Sequence, residues 1–331
     1  FVIAQVERLA AAGALPAKQV TVPSVLVDCV VVAEPEHHRQ TYATAFSAAF
    51  SGQLRVPLDR LPPLGLDERK TIARRCAMEL PMGGVVNLGI GMPEAVAAVA
   101  REEGLLDQVT LTAEPGIIGG LPQGGLDFGA AINPSAIIAQ NQQFDFYDGG
   151  GLDLAVLGMA QVDGAGNVNV SRFGGRFAGA GGFINITQNA RTLVFAGTFT
   201  AGGLDVEVGD GRLRIVREGR SPKFVGAVEE ITFNGRLAAA EGQSVRYVTE
   251  RCVLVLTPEG LELAEIAPGV DLERDILAHM AFRPLIRAPR TMDPRLFRAE
   301  RMDLDATLLG RPLASRFTLD AERGVLFIDF A

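Results

Sequence analysis

The chain from Leu66 onward alternates short apolar runs with longer amphipathic stretches. Segment 66–80, LDERKTIARRCAMEL, has apolar residues at helical spacing, with Ile72, Cys76 and Leu80 on one face. Runs such as VVNLG, QVTLT, LDLAVLG and RTLVFAG are almost continuously apolar and are typical of buried strands. Because such strands alternate with helices, the pattern predicts an α/β domain: an open, largely parallel sheet with flanking helices.

Other segments extend this pattern. GGVVNLGIGMPEAVAAVAREEG predicts a strand, a glycine turn and a helix, with Pro93 in the first turn and Gly104 beyond the end. We place KFVGAVEEITF, 223–233, among the strands, and a hairpin at Pro258-Glu259-Gly260. GVDLERDILAHM predicts a closing helix with Asp271 as its N-cap.

The beginning of the chain has a different pattern. FVIAQVERLA and SVLVDCVVVA are strand-like runs with little helix between them, and they could not bury a core alone. We interpret residues 1–58 as the closing strands of a domain whose body is absent, followed by a Pro-rich linker at 59–66. The predicted catalytic domain is 67–285, and 286–331 is a C-terminal extension.

Composition narrows the function classes. The 331 residues are 48% hydrophobic, which indicates a globular chain, and the net charge of −8 without a basic stripe argues against nucleic acid as a partner. No apolar run approaches the roughly 18 residues of a membrane span, so we expect a soluble protein without membrane association. The cysteines lie far apart and show no metal-ligand spacing, which favours a reducing, cytoplasmic setting and no metal.

One glycine turn suggests a nucleotide. In NLGIGMPEAV, a strand leads through Gly89 and Gly91 into a helix, as in dinucleotide-binding folds, and Glu114 ends the following strand. The third glycine position of that fingerprint holds Glu94, whose carboxylate would lie near a pyrophosphate. An NAD-binding oxidoreductase is therefore the alternative interpretation.

Glu114 is the candidate with the clearest chemistry. It ends an apolar strand in TLTAEPGIIGG, and Pro115-Gly116 would fix the turn so that the carboxylate projects. A carboxylate is ionised at neutral pH and can act as a nucleophile without a general base. A second glycine run, 179–182, offers backbone N–H groups that could approach a developing oxyanion.

Several motifs together resemble a known family. NLGIGMPE, LTAEPGIIGGLPQGG, FDFYDGGGLDLAVLG, GNVNVSRFG and GAGGFINITQNA are similar, in this order, to the second half of the family I coenzyme A transferases. Glu-Pro-Gly at the nucleophile is similar to the acetate or propionate type, whereas the 3-oxoacid type usually has Glu-Asn-Gly there. Residues 1 to about 33 resemble the tail of the family's homologous first half.

The resemblance implies a short-chain acyl-CoA:carboxylate CoA-transferase that works by a ping-pong reaction through a glutamyl-CoA thioester on Glu114. It assigns oxyanion stabilisation to the backbone at Gly181, Gly182 and Ile90. Asn141, and with it Gln143, are candidates for polar groups near the site, although solvated loop amides are an equal alternative. Coenzyme A enters as a substrate thioester, and neither ATP nor a metal is expected.

The partners implied are acyl-CoA, short-chain carboxylic acids, and an N-terminal half or subunit that completes the protein. A homo-oligomer is also expected, because the apolar first strands would otherwise be exposed. From another function class, the chain could be a non-catalytic binding subunit.

Overall fold

The structure, a computed structural model, describes residues 1–309, 317–320 and 323–328. The α-helices are α1 (Glu68–Ala77), α2 (Ala95–Glu102), α3 (Gln140–Asp148), α4 (Phe183–Asn189), α5 (Gly235–Ala240) and α6 (Leu304–Leu309). The strands of the first half are β1 (Ile3–Val6), β2 (Cys29–Val32), β3 (Val85–Leu88), β4 (Thr110–Ala113), β5 (Ile117–Ile118), β6 (Leu121–Pro122), β7 (Ala131–Ile132), β8 (Ala136–Ile137), β9 (Leu154–Gly158), β10 (Gln161–Val162), β11 (Val168–Asn169), β12 (Arg172–Phe173) and β13 (Arg176–Phe177). Those of the second half are β14 (Thr192–Ala196), β15 (Thr200–Ala201), β16 (Asp205–Gly209), β17 (Arg212–Arg217), β18 (Ser221–Pro222), β19 (Ser244–Val248), β20 (Cys252–Thr257), β21 (Gly260–Ile266), β22 (Arg290–Thr291), β23 (Phe317–Asp320) and β24 (Val325–Ile328).

A ten-stranded sheet organises the chain, in the order β22-β21-β20-β19-β14-β9-β3-β4-β5-β8. The five central strands, β19, β14, β9, β3 and β4, all run parallel. The hairpins β19-β20-β21 on one side and β4-β5-β8 on the other are antiparallel. The predicted open α/β sheet is confirmed. The carboxyl ends of its five parallel strands meet at one edge, which is where such folds place their ligands.

Alternating side chains of the central strands enter two cores on the two faces of the sheet. In β9, Leu154 and Val156 belong to the core that packs on α1 and α2, whereas Ala155 and Leu157 belong to the core on the α3 and α4 side. Burial on both faces explains why the strand is almost continuously apolar in sequence.

Helices α1 and α2 agree with the sequence pattern. Ile72, Cys76 and Leu80 are all buried in the first core, and Asp67 caps α1 by accepting a hydrogen bond from the Lys70 backbone N–H. A 3₁₀ turn containing Pro93 precedes α2, and Gly104, with φ of 74°, follows its end.

Segment 223–233 is not a strand, in contrast to the prediction. Its backbone forms only isolated bridges, from Phe224 to Val162 and from Phe233 to Val168. Both phenylalanine side chains are buried in the second core. The apolar residues of this segment therefore pack into the core at two separate points, without a continuous ladder of strand hydrogen bonds.

The predicted closing helix is also irregular. It consists of a π turn, Leu272–Ile276, followed by a 3₁₀ turn, Leu277–His279. Asp271 does cap it, by accepting from the Arg274 N–H. The Arg251 guanidinium donates to the Asp275 carbonyl oxygen at 2.8 Å. A backbone carbonyl of this segment is therefore hydrogen-bonded to a side chain that is distant in sequence. The predicted hairpin is confirmed, with Thr257 paired to Gly260.

The first residues form a separate, thin layer. β1 and β2 make a two-stranded parallel sheet in register Ile3↔Cys29 to Val6↔Val32, and every residue of β2 is exposed. Arg101 of α2 donates to the carbonyl oxygen of Pro62, inside the predicted linker 59–66, and to that of Leu58 just before it.

The described part of the predicted C-terminal extension contributes to the first core through Met292, Leu296, Phe297, Met302 and Leu304. Residues 310–316, 321–322 and 329–331 of that extension lie outside the described residues.

Candidate functional site

Glu114 follows the last residue of β4 at the carboxyl edge of the sheet. The turn after it depends on Gly116, whose φ is 118° and where a Cβ would lie only 1.9 Å from the Ile138 carbonyl oxygen. Only glycine fits this conformation and this contact without displacing the chain. The backbone of Gly116 also donates to the Ala113 carbonyl oxygen at 3.1 Å and accepts from the Ile138 N–H at 2.9 Å, so the position of Glu114 is fixed from both sides.

The Glu114 carboxylate is half-buried and accepts no hydrogen bond from any residue that the structure describes. Burial raises the pKa of this carboxyl group above its ordinary value. A partly desolvated carboxylate without hydrogen bonds keeps its lone pairs free, which suits a nucleophile.

Gly182 is the predicted oxyanion residue that the structure brings to Glu114. A Cβ at Gly182 would lie 2.7 Å from Glu114 Oε2 and 2.6 Å from the Phe144 ring, so the carboxylate, the ring and the glycine backbone share one small space. Gly181, with φ of 55°, turns the chain into α4, and it has no neighbour within 4 Å of a Cβ position. Gly182 is therefore required by contact and Gly181 by its backbone conformation.

Ile90 lies at the same edge, because β3 neighbours β4 with Asn87 opposite Thr112. Its side chain is 60% exposed, and the chain turns at Gly91, where φ of 88° and ψ of −116° favour glycine. The structure thus places the Ile90 backbone beside the strand that carries Glu114.

Each carboxylate oxygen of Glu94 has its own partner. Its Oε1 accepts from the Gly125 N–H at 3.1 Å and its Oε2 pairs with Arg69 at 3.2 Å. A Cβ at Gly124 would lie 2.3 Å from Glu94 Oε2. The carboxylate therefore ties the start of α2 to the glycine-rich loop after Glu114.

A buried polar network lies beneath the strand tip. The Tyr147 hydroxyl accepts from Asn87 Nδ2 at 3.1 Å and from Gln143 Nε2 at 2.7 Å, and it donates to Thr112 Oγ1 at 2.9 Å. The pKa of the Tyr147 hydroxyl is raised above its ordinary value. Burial is the main cause, and the negative charge of Glu114 adds to it. These four side chains fasten α3, which carries Phe144, onto β3 and β4.

Sequence reasoning identified only part of this network. Gln143 is buried in it, whereas Asn141 is exposed on the first turn of α3 and makes no hydrogen bond to Glu114. Tyr147 was missed, although Gln143 and Tyr147 are four residues apart and so share one helix face.

A second carboxylate lies near the same edge of the sheet, and no motif in the sequence distinguishes it. Glu250 follows β19 by two residues and is fully buried. Its Oε1 accepts from Arg251 Nε at 2.7 Å, and its Oε2 accepts from the Phe199 N–H at 2.8 Å. Arg251 also pairs with Glu218 at 2.9 Å and stacks over the Phe199 ring at 4.7 Å.

Among the described residues, no group of three or more His, Cys, Asp or Glu side chains could hold a metal ion. No helix in that part of the chain is long and apolar enough to cross a membrane. All three cysteines are free thiols.

No protein-family profile matches the chain. A caffeate CoA-transferase of Acetobacterium woodii is 48% identical over 318 residues, which cover 94% of this chain and 60% of that protein. The crystal structure of the acyl-CoA transferase YdiF apoenzyme of Escherichia coli O157:H7 has a TM-score of 0.83 at 44% identity, over 91% of this chain and 56% of that one. The acetate CoA-transferase subunit beta of E. coli K12 is 32% identical over 62% of this chain and 89% of the subunit.

The chain thus spans a little more than half of the two longer relatives and nearly all of the shorter subunit. The resemblance inferred from the motifs is confirmed by these similarities in sequence and fold. The chain belongs to the family I coenzyme A transferases.

Proposed function

We propose that this chain carries the catalytic carboxylate of a short-chain acyl-CoA:carboxylate CoA-transferase of the acetate or propionate type. The observation that carries the proposal is Glu114, a half-buried carboxylate that accepts no hydrogen bond from the described residues, held at the sheet edge by the turn at Gly116 and next to Gly182. The name of one relative, an acetate CoA-transferase, supports the short-chain class. The caffeate CoA-transferase is named for an aromatic acid, so the two names together support a carboxylic acid as the acceptor. A structure of YdiF described as a thioester complex with CoA supports the covalent intermediate.

The first half-reaction moves CoA onto the protein. A carboxylate oxygen of Glu114 attacks the carbonyl carbon of acyl-CoA, the C–S bond breaks, and CoA leaves as thiolate from an acyl-glutamyl anhydride. The thiolate then attacks the glutamyl carbonyl carbon, and the anhydride C–O bond breaks. The first acid leaves as its carboxylate, and Glu114 is left as a glutamyl-CoA thioester.

The second half-reaction reverses these steps with another acid. Its carboxylate attacks the glutamyl thioester and releases CoA thiolate, which attacks the acyl carbonyl of the new anhydride. The new acyl-CoA leaves and the Glu114 carboxylate returns. Because one thioester replaces another and no proton is consumed, we expect no ATP, metal or other cofactor to be needed.

The partial burial of Glu114 favours both half-reactions. The partly desolvated carboxylate loses little solvation when it attacks, and the same low polarity favours the neutral anhydride and thioester over the ion. Each attack creates an oxyanion, for which we propose the backbone N–H groups of the Ile90 turn and of the 181–182 loop as donors. Removal of one such donor costs about 3 kcal/mol in barrier height.

We further propose that a second polypeptide segment covers β1 and β2. Parallel sheets in proteins are normally covered on both faces, yet this pair exposes Ile3, Val30, Val31 and Val32. The greater length of the relatives supports a homologous N-terminal half or separate subunit as the cover, with a homo-oligomer as the other candidate. Light scattering should find an assembly larger than one chain, and a monodisperse monomer would contradict this.

For the cellular setting we propose the cytoplasm, where the free thiols of Cys29, Cys76 and Cys252 would stay reduced. The nicotinamide alternative is set aside, because the chain belongs to the CoA-transferase family and Glu94 stands where the dinucleotide fingerprint has its third glycine.

The decisive assay follows transfer of CoA from propionyl-CoA to acetate by the assembly that contains this chain. Glu114→Gln should lower turnover by several orders of magnitude, because an amide presents no anionic oxygen. Glu94→Gln is the matched control: the amide oxygen can still accept from the Gly125 N–H, so turnover should stay within a few-fold of wild type. Equal losses in both variants, or activity in Glu114→Gln, would reject the assignment. Absence of transfer by the wild-type assembly would favour a non-catalytic binding subunit.

A further inference from the structure

Lys223 places a cation at the same sheet edge as Glu114. Its Nζ lies 3.0 Å from the position that a Cβ would take at Gly197, beside the Met159 side chain. Gly197 follows β14 and Met159 follows β9, so the ammonium group stands at the carboxyl ends of two central parallel strands. Because Gly197 has no side chain, the lysine head group can lie directly against the strand end.

This ammonium group has no hydrogen bond or ion pair with any residue that the structure describes. The other two lysines of the chain differ: Lys18 is exposed, and Lys70 pairs with Glu102 at 2.7 Å. Glu250 is close enough to act on Lys223 electrostatically, but both of its carboxylate oxygens are engaged by Arg251 and the Phe199 N–H. Burial is the main influence on this group and lowers the pKa of Lys223.

A partly desolvated cation without a partner is unfavourable by itself and is stabilised when an anion binds it. The place of Lys223 at the ligand-binding edge makes a bound substrate the natural source of that anion.

The distance between Lys223 and Glu114 indicates which anionic group of the substrate lies at Lys223. β14 is three strand positions from β4, through β9 and β3, which separates their ends by about 14 Å at about 4.8 Å per strand. The pantetheine arm of coenzyme A, built from cysteamine, β-alanine and pantoate units, is about as long as four extended residues, which also reach about 14 Å. A thiol bonded at Glu114 would thus bring the first phosphate of the cofactor to Lys223.

We propose that Lys223 binds the pyrophosphate of coenzyme A while the thiol end of the same molecule lies at Glu114. The inference rests on the proposed function, since it takes coenzyme A as the substrate. It assigns the phosphate end of the ligand to the carboxyl ends of β9 and β14.

The test compares ligands that differ in their phosphates. Isothermal titration of the assembly that contains this chain should show CoA and dephospho-CoA, which both keep the pyrophosphate, binding about 10–100-fold more tightly than pantetheine. Lys223→Met should remove that preference and leave the affinity for pantetheine unchanged. Lys18→Met is the matched control and should behave as wild type.

Three results would overturn the proposal: an unchanged preference for CoA in Lys223→Met, a preference for CoA that dephospho-CoA lacks, or no preference in the wild-type chain. A measurement on the unmutated chain avoids any folding defect of the variant. Amine acetylation followed by mass spectrometry should show that CoA, and not pantetheine, protects Lys223, while Lys18 stays reactive. Labelling of Lys223 that CoA leaves unchanged would also reject the site.

A further experiment distinguishes failure of the Lys223 proposal from failure of the proposed transferase activity. An acyl-pantetheine thioester has no phosphate, so it should form the covalent adduct at Glu114 equally well in wild type and Lys223→Met. Adduct formation in both proteins without any phosphate preference would reject the Lys223 site and retain the transferase. Failure of the wild-type assembly to form the adduct from propionyl-CoA itself would reject the transferase.

Discussion

Glu114 and Glu250 both follow central parallel strands at the carboxyl edge of one sheet, yet their surroundings are opposite. Glu250 is fully buried and has a partner for each oxygen, the Arg251 guanidinium and the Phe199 N–H. Glu114 is half-buried and has no hydrogen-bond partner among the described residues. The Glu250 carboxylate therefore stabilises the fold through its partners, whereas the Glu114 carboxylate makes no such hydrogen bond with the described residues.

The difference shows how the same residue type becomes structural or reactive. A buried charge with all its hydrogen bonds made is held by its partners, and its removal leaves those partners unsatisfied. A carboxylate held only by its backbone turn contributes little to packing, and its burial raises its pKa and is unfavourable for the folded state. Variants at the two positions should therefore change stability in opposite directions.

Glu250→Gln should show the largest loss of stability. The amide can still accept from the Phe199 N–H, but the buried Arg251 then keeps Glu218 as its one ion-pair partner among the described residues. We expect the free energy of unfolding in urea to fall by about 3 kcal/mol. The exposed Glu241, changed to Gln, is the control and should stay within about 0.5 kcal/mol of wild type. If the two variants were equally stable, the Arg251 cluster would not be the structural element described.

Tyr147→Phe should show a smaller loss. Without the hydroxyl, the amide groups of Asn87 and Gln143 and the hydroxyl of Thr112 lose a buried partner, which should lower the free energy of unfolding by about 1–3 kcal/mol. The same change at Tyr42, which is 80% exposed, provides the control. Equal melting temperatures for both variants would mean that α3 is held in place by its apolar contacts alone.

Glu114→Gln should show the smallest effect and the opposite sign. Since the folded-state pKa of Glu114 is raised, the ionised carboxylate destabilises the fold at neutral pH, and this penalty disappears as the pH falls below the ordinary carboxyl value of about 4.3. The variant should therefore melt at a higher temperature than wild type at pH 7, and the two should converge near pH 4. A variant that melts lower than wild type at pH 7 would indicate a structural partner for Glu114.

The sequence contained most of the fold but few of its long-range contacts. Strands such as β9, buried on both faces, and the apolar face of α1 are encoded locally, so periodicity was sufficient to predict them. Segment 223–233 and the 272–279 turns were predicted wrongly. Their conformations depend on Val162, Val168 and Arg251, which are distant in sequence.

The site divides in the same way. Glu114 could be selected because proline and glycine follow it directly, and Gly182 because its motif resembles the family's. Tyr147, Glu250 and Lys223 gave no comparable signal, since their roles arise from strands and helices that only the fold brings together. Asn141 and Gln143 looked equivalent in sequence, and the helix phase of α3 separates them.

The most direct test of the central claim is the mass of the protein after incubation with propionyl-CoA and no acceptor acid. The assembly that contains this chain should gain the mass of CoA less water, the gain should disappear with hydroxylamine, and peptide mapping should place it on Glu114. Glu114→Gln should gain no mass under the same conditions. Wild-type transfer without any adduct, or an adduct mapped to another residue, would contradict the account.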